Sequence, residues 1–308
     1  MTLKELIRVA IQVKQYSIQD DYNRVGDFLQ RTYDGTYHHW LQARWEYMHY
    51  HPNFNESNVK KIGLFEENGK IVAVANYEEN LGQAYFQYDK QYQDLKPRML
   101  QYAEDNLFEI AKDNQKKITI YIDDNDSVME ELALLNGYKK NTDYPEYRSH
   151  SVMDLVGYSL EYQLPSGYKI TSLEEETDIN KYHQVLWSGF NHDGTTPKED
   201  LVSRYKMQSA PNYDRSLNIV AVSPDGEFAS HGGIWYDPIN KIGYVEPVAT
   251  PPQYRRLGLA KACVLEGVKR VKEKGAERIY VGSGQKFYLA IGFKLIHSSY
   301  PWEKIFSK

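Results

Sequence analysis

The stretch Glu246-Pro247-Val248-Ala249-Thr250-Pro251-Pro252-Gln253-Tyr254-Arg255-Arg256-Leu257-Gly258-Leu259-Ala260 joins an apolar strand directly to the start of an amphipathic helix. Downstream, Leu257, Ala260, Cys263, Val264, Gly267, Val268 and Val271 recur at the i, i+3, i+4 spacing of one buried helix face, and Gly275 ends the run. Such a junction is a natural anion site, because the unpaired N–H groups of a first helical turn and the positive end of the helix dipole both favour a phosphate. Gly258 and Ala260 lack bulk, so a pyrophosphate can approach the backbone, and Arg255 and Arg256 can add charge. The same residues also suit a plain helix start whose arginines face water.

Upstream of this junction the pattern predicts a strand at 168–172, helices at roughly 174–190 and 197–209, and strands at roughly 217–223, 228–236 and 242–249. Pro224-Asp225-Gly226 supplies the hairpin turn between the first two of those last three strands. After the long helix come a strand at Arg278–Val281, a short helix at 286–291 and a strand at Phe293–Ile296. The turn-rich Leu164-Pro165-Ser166-Gly167 is the linker candidate, which puts a domain boundary near residue 160 and separates residues 1–160 from 161–308. The first half repeats the same order. Glu67-Asn68-Gly69-Lys70 matches the hairpin turn at Pro224. Gln91-Tyr92-Gln93-Asp94-Leu95 precedes a long helix as Gln253-Tyr254-Arg255-Arg256-Leu257 does, and Asn136-Gly137-Tyr138-Lys139 echoes Ile291-Gly292-Phe293-Lys294. Three landmarks in one order argue for an internal duplication and an α+β fold with a mixed sheet in each half.

The 308 residues suit two domains, and 41% hydrophobic with 26% charged residues is ordinary for a chain that folds into a globule. A net charge of -5 disfavours a general nucleic-acid binder, which needs an excess of clustered Lys and Arg. Cys263 is the single cysteine, so no intrachain disulfide or thiolate metal cage can form, in keeping with a cytoplasmic address. The N-terminal MTLKELIRVAIQVKQYS is broken by Arg8, Gln12 and Lys14, too short and polar for a signal or a membrane span, and no partnership with a membrane is expected.

Arg255-x-x-Gly258-x-Ala260, following a strand that ends in Val248, resembles the pyrophosphate motif of the GNAT acetyltransferases, and Tyr288-x-x-x-Gly292-Phe293 resembles that family's second signature. The resemblance covers roughly residues 168–300 and implies two GNAT-like domains, each a mostly antiparallel sheet flanked by helices. It implies that acetyl-CoA, as co-substrate, lays its pyrophosphate on Arg255, Arg256, Leu257, Gly258, Leu259 and Ala260, and its pantetheine along Val248, Ala249 and Thr250. It further implies transfer of the acetyl group to a primary amine by direct attack in a ternary complex. The attacking amine must lose a proton, and Glu246, on the strand beside the cofactor, resembles the position of the family's glutamate base; a solvated or structural carboxylate is the alternative. Tyr288 falls on the family position that can donate a proton to the departing thiolate; a packed core tyrosine is the alternative. Trp187, His192 and Asp193 lie near the loop joining the first two helices, a region that often forms the acceptor wall in this family, although Asn191-His192-Asp193-Gly194 is also an ordinary helix-ending turn.

In the first half Gln93, Asp94, Lys96 and Arg98 stand at the positions of Arg255, Arg256, Gly258 and Ala260, and Pro97 removes one N–H. That half is expected to be a degenerate copy that shapes or covers the acceptor site, as in tandem-GNAT proteins with one active half. His38, His39, His49 and His51 match no metal spacing, and no metal is expected. Asp123-Asp124-Asn125-Asp126 departs from a calcium loop at Val128 and Leu134, and a Ser127/Glu130 capping box fits better. Gly282-Ser283-Gly284 reads as a turn, and Cys263 as a packing residue. Two rival readings of the whole are an acyl-CoA-binding or regulatory protein without turnover, and a Fem-like peptidyl transferase. The second is opposed by the pyrophosphate motif and the acidic charge. The acceptor is a small-molecule or peptide amine of unspecified identity.

Overall fold

A computed structural model of the protein describes residues 11–36, 39–143, 149–158, 160–194, 196–197 and 200–306. His38 and the first ten residues therefore lie outside the described residues. The chain divides into two compact units, Met1–His49 with Asn53–Arg148 and His297–Lys308, and Tyr50–Pro52 with Ser149–Ile296. No helix among the described residues is long and apolar enough to cross a membrane.

The first unit is a sheet in the order β1 (Gln12–Gln15), β2 (Gly63–Glu67), β3 (Lys70–Asn76), β4 (Gln83–Tyr88), β6 (Lys116–Asp123) and β14 (Lys294–Ile305, of which His297 onward belongs here). Two short strands, β5 (Glu109–Ile110) and β7 (Lys139–Lys140), pair with β6 and β14. The predicted turn at Asn68-Gly69 is present: both residues have positive φ (51° and 78°), and Glu67 faces Lys70 across the hairpin. β6 shows why its residues form a strand, since Ile118, Ile120 and Ile122 are buried in strict alternation with more exposed neighbours. Helices α1 (Ile18–Thr32), α2 (Gln42–Tyr50), α3 (Lys96–Asn106) and α4 (Ser127–Leu135) complete the unit, and Phe28, Trp45, Met99 and Met129 join the strand residues in one core. α4 is capped by Asp126, whose carboxylate accepts from the Met129 N–H, rather than by the expected Ser127.

The second unit has the sheet order β8 (Ser149–Asp154), β13 (Arg278–Val281), β12 (Ile242–Ala249), β11 (Phe228–Asp237), β10 (Asn218–Val222) and β9 (Lys169–Ser172). All neighbours are antiparallel except β12 and β13. Helix α5 (Ile179–Gly189) packs Tyr182, Val185 and Leu186 against Val220, Phe228 and Ala249 on one sheet face. Helix α7 (Leu259–Glu273) packs Leu259, Cys263, Val264 and Val268 against residues of the opposite face, among them Ile219, Ala221, Ile234 and Val245. Each fully buried aliphatic side chain stabilises by about 1.5–3 kcal/mol, so these alternating strands hold both helices. Two shorter helices are α6 (Leu201–Gln208) and α8 (Lys286–Ala290).

The compact units part at Ser149, with His297–Lys308 in the first, where a domain boundary near residue 160 was expected. Two helix starts need correction. α5 begins at Ile179 rather than near 174, because the Asp178 carboxylate caps it by accepting from the Asn180 and Lys181 N–H groups. α7 begins two residues after Leu257, which is 40% exposed and not on the buried face.

Candidate active site

β12 and β13 run parallel and pair only over Ile242, Gly243 and Tyr244 against Arg278, Ile279 and Tyr280. Among the described residues, no strand pairs with β12 on that side from Val245 to Ala249. The two strands part at this point. On its other side β12 stays paired with β11, but with a bulge: Ile234 faces Val245 and Gly232 faces Val248, so Gly233 meets Glu246 and Pro247, which are joined by a cis peptide bond. Only glycine fits at 233, since a Cβ there would lie 2.7 Å from the Glu246 carbonyl oxygen. That carbonyl accepts from the Trp235 indole N–H at 3.0 Å.

The chain leaves β12 through Pro251 and one tight turn at Pro252–Tyr254, then passes Arg256 and Gly258 in the left-handed region (φ 62° and 79°) before α7. Residues 255–258 are exposed, and nothing lies within 4 Å of the position a Cβ would take on Gly258. The start of α7 is thus open at Gly258, beside the exposed Arg256. Arg255 does something other than add charge at that turn. Its Nε donates to the Thr250 carbonyl (2.9 Å), and its Nη2 donates to the Gly189 carbonyl (3.1 Å) and Asn191 Oδ1 (2.6 Å). It ties the end of β12 to the end of α5. Gly189 permits that approach, because a Cβ there would fall 2.7 Å from the Ala249 Cβ. Thr250 Oγ1 is 2.8 Å from Ser230 Oγ, which also donates to the Ala249 carbonyl at 3.3 Å.

Glu246 is half-buried on β12, and Tyr288 half-buried on α8. Burial first, and then the negative charge of Glu246, push the Tyr288 phenol well above its ordinary value, so it remains protonated at working pH. The two residues singled out for proton transfer are thus within electrostatic reach of each other. The Tyr288 ring also packs edge-on to Phe287 (4.9 Å) and Phe293 (5.8 Å), so the packing role and an acid role are compatible. Trp187, His192 and Asp193 also converge: the Trp187 N–H donates to the Asp193 carbonyl (3.1 Å) and its ring stacks on His192 (4.4 Å). Cys263 is fully buried, and burial pushes its thiol up to about 12, as a packing residue requires. Gly282-Ser283-Gly284 is a turn held by the Ser151 hydroxyl donating to the Ser283 carbonyl.

Residues 179–293 match the acetyltransferase (GNAT) family model. That stretch of the second unit is similar to the GNAT domain. Solved structures extend the likeness to the whole chain as a fold. A tandem GNAT protein from the clavulanic acid biosynthesis pathway superposes with a TM-score of 0.64 at 11% identity, covering 96% of this chain and 98% of that one. The GCN5-related N-acetyltransferase of Sphaerobacter thermophilus gives 0.59 at 14% identity, with 96% of each chain covered. A GNAT-family acetyltransferase of Colwellia psychrerythraea gives 0.56 at 12%, covering 95% and 99%. No curated protein sequence matches significantly. The fold is thus two GNAT-like domains, each a mostly antiparallel sheet flanked by helices.

The corresponding place in the first unit is built differently. β4 and β6 also run parallel and pair only at Gln83–Thr119 and Ala84–Ile120, but Tyr85 on β4 stacks on Tyr121 of β6 at 4.7 Å. A 3-10 turn at Lys90–Leu95 runs straight into α3, with no left-handed residue between them. Lys96, 5% exposed in its side chain, pairs with Asp126 at 2.7 Å, and Arg98 donates to the Ile11 carbonyl. Two histidines of this unit have internal partners: His49 bonds the Tyr16 hydroxyl and the Trp45 carbonyl, and His39 the Trp40 and Thr32 carbonyls.

Sequence reasoning missed one group of polar residues, the buried set of Tyr182, His183, Asn218 and His231 with Arg204 and Tyr213. A histidine inside the otherwise apolar strand around 231 was the available signal.

Proposed function

We propose that the second unit is an acetyl-CoA-dependent N-acetyltransferase that passes the acetyl group to a primary amine by direct attack in a ternary complex. The observation that carries this reading is the parting of β12 from β13 at Tyr244, with Gly258 and the open first turn of α7 at its far end. A free strand edge can pair with the amides of a pantetheine arm, and an open helix N-terminus accepts a pyrophosphate. On this reading Val248, Ala249 and Thr250 lie along the arm, and Arg256, Leu257, Gly258, Leu259 and Ala260 surround the pyrophosphate. Arg255 holds the frame rather than the phosphate.

Acetyl-CoA supplies the activated acyl group; the protein supplies position and proton traffic. Glu246 takes the proton from the incoming ammonium, directly or through water, because a lysine-like amine is otherwise protonated at neutral pH. Tyr288, kept protonated by burial and by Glu246, donates toward the leaving sulfur. Trp187, His192 and Asp193 form part of the acceptor wall. The first unit acts as a degenerate copy without CoA, since Lys96 and Asp126 stand where the second unit is open. The test is formation of an acetyl amide from acetyl-CoA and a panel of primary amines. CoA binding without transfer across the panel would favour a regulatory binder instead.

A further inference from the structure

Arg204 on α6 donates its Nε to His183 Nδ1 at 3.1 Å, and among the described residues its Nη1 and Nη2 have no hydrogen-bond partner and no carboxylate at ion-pair distance. Its surroundings are polar and buried. His183 is 1% exposed and Tyr182 1%, and His231 is fully buried, with its ring 5.1 Å from that of Tyr182. The positive charge of Arg204 acts on all of them and on Tyr213: after burial, it is the next cause lowering both histidines. Both histidines are therefore neutral. His183 accepts from Arg204, which fixes its Nε2–H toward the Pro197 carbonyl at 3.3 Å. Asp200 reaches His183 electrostatically, and Arg215 reaches Tyr213, but the Arg215 Nε is spent on the Leu173 carbonyl.

Two further polar atoms in this group are buried without hydrogen-bonding geometry: the Tyr213 hydroxyl, beside that of Tyr182, and His231 Nδ1, beside the Pro247 carbonyl. Arg204 is half-buried, so its free fork is reachable by a ligand and stands next to these buried, unsatisfied polar atoms. These residues adjoin β12. The Tyr213 ring packs edge-on to Trp235 at 5.6 Å, Trp235 donates to the Glu246 carbonyl, and His231 faces Ala249 across the strand pair.

We propose that the acceptor amine also carries a carboxylate, and that Arg204 receives it through the two ends of its guanidinium, with the Tyr213 hydroxyl as a further donor. The planar fork matches a carboxylate, and fixing that end of the acceptor aims its amine toward Glu246. This rests on the acetyl-transfer reading above.

The test uses the full chain, acetyl-CoA and matched acceptor pairs: α- and ω-amino acids, their carboxamides, and the corresponding aminoalkyl phosphates. The carboxylate member should show a higher kcat/KM than its carboxamide, and Arg204→Gln should lower that ratio about 100-fold. Arg204→Lys, which keeps the charge but not the fork, should fall between. A general loss of folding lowers both members alike and leaves the ratio standing. Acetyl-CoA affinity, titrated separately, reports on the cofactor site; its absence would sink the acetyl-transfer reading rather than the assignment of Arg204. Equal use of carboxamides, preference for the phosphates, or failure of every carboxylate to bind the CoA-loaded protein would overturn the assignment.

Discussion

Replacing Gly258 separates the two properties that make the start of α7 an anion site. Gly258 has φ 79° and open space around its missing Cβ, so any side chain fits sterically but strains the backbone. That strain costs about 1–2 kcal/mol of stability whatever residue is introduced. Gly258→Gln and Gly258→Glu therefore share the same strain and nearly the same shape, and differ by one charge. In the free protein the Glu carboxylate sits at the positive end of the helix dipole and regains about 0.3–1 kcal/mol, so Glu should melt no lower than Gln. With acetyl-CoA the sign reverses. Two unit charges 4 Å apart at an effective dielectric of 20 repel by about 4 kcal/mol. An exposed side chain that swings aside retains about half of that, which is roughly 30-fold in affinity at 1.4 kcal/mol per tenfold. Calorimetric titration should thus show Gln binding within a few-fold of the parent and Glu about 30-fold weaker, with the gap shrinking in high salt. Equal affinities for folded Gln and Glu variants would remove the pyrophosphate from this turn.

Tyr288→Phe should lower kcat by about 10²-fold or more while leaving acetyl-CoA affinity little changed, since a proton donor acts on the departing sulfur; an unchanged rate with chemistry limiting returns Tyr288 to packing alone. Because burial and Glu246 raise the Tyr288 phenol, activity should not fall from its ionisation near pH 10, which a pH–rate profile checks. His231 is lowered to about 3 by burial and then by Arg204, so between its unfolded value of about 6.5 and pH 3 the unfolded chain binds a proton that the folded one does not. Stability is then lost as pH falls through that window, by about 2 kcal/mol between pH 6.5 and 4.5. Denaturant titrations of the parent and His231→Gln should differ in this slope, and parallel slopes would refute it. Intact protein should bind one CoA per chain, and Lys96→Ala should destabilise the first unit without altering that count; two CoA per chain would contradict the degenerate reading.

What the sequence revealed is what local backbone chemistry dictates. Asn68-Gly69 and Gly226 supply positive φ, so the hairpins were legible, and the spacing around Cys263 marked α7 with its buried face. Two kinds of feature were not legible. The last strand was expected to end at Ile296, and nothing local says that it runs on to Ile305 or which unit Ser149–Asp154 and His297–Ile305 complete. Long-range side-chain partners were equally hidden: Arg255 sits in the motif, but its hydrogen bonds run to Gly189 and Asn191, some 65 residues away. Arg256 takes a left-handed conformation that a non-glycine residue rarely adopts, and this delays the helix to Leu259. Arg204, Tyr213 and His231 come from three separate elements, and only the fold assembles them.

The central claim is acetyl transfer to an amine at β12, and it is tested most directly by mass spectrometry of the full chain incubated with acetyl-labelled CoA and primary amines that carry a carboxylate. The expected result is labelled amide formed in step with free CoA thiol, no label on the protein, and loss of both products in Glu246→Gln and Tyr288→Phe. Label retained on the protein, or bound acetyl-CoA that no amine in the panel discharges, would contradict direct transfer at this site.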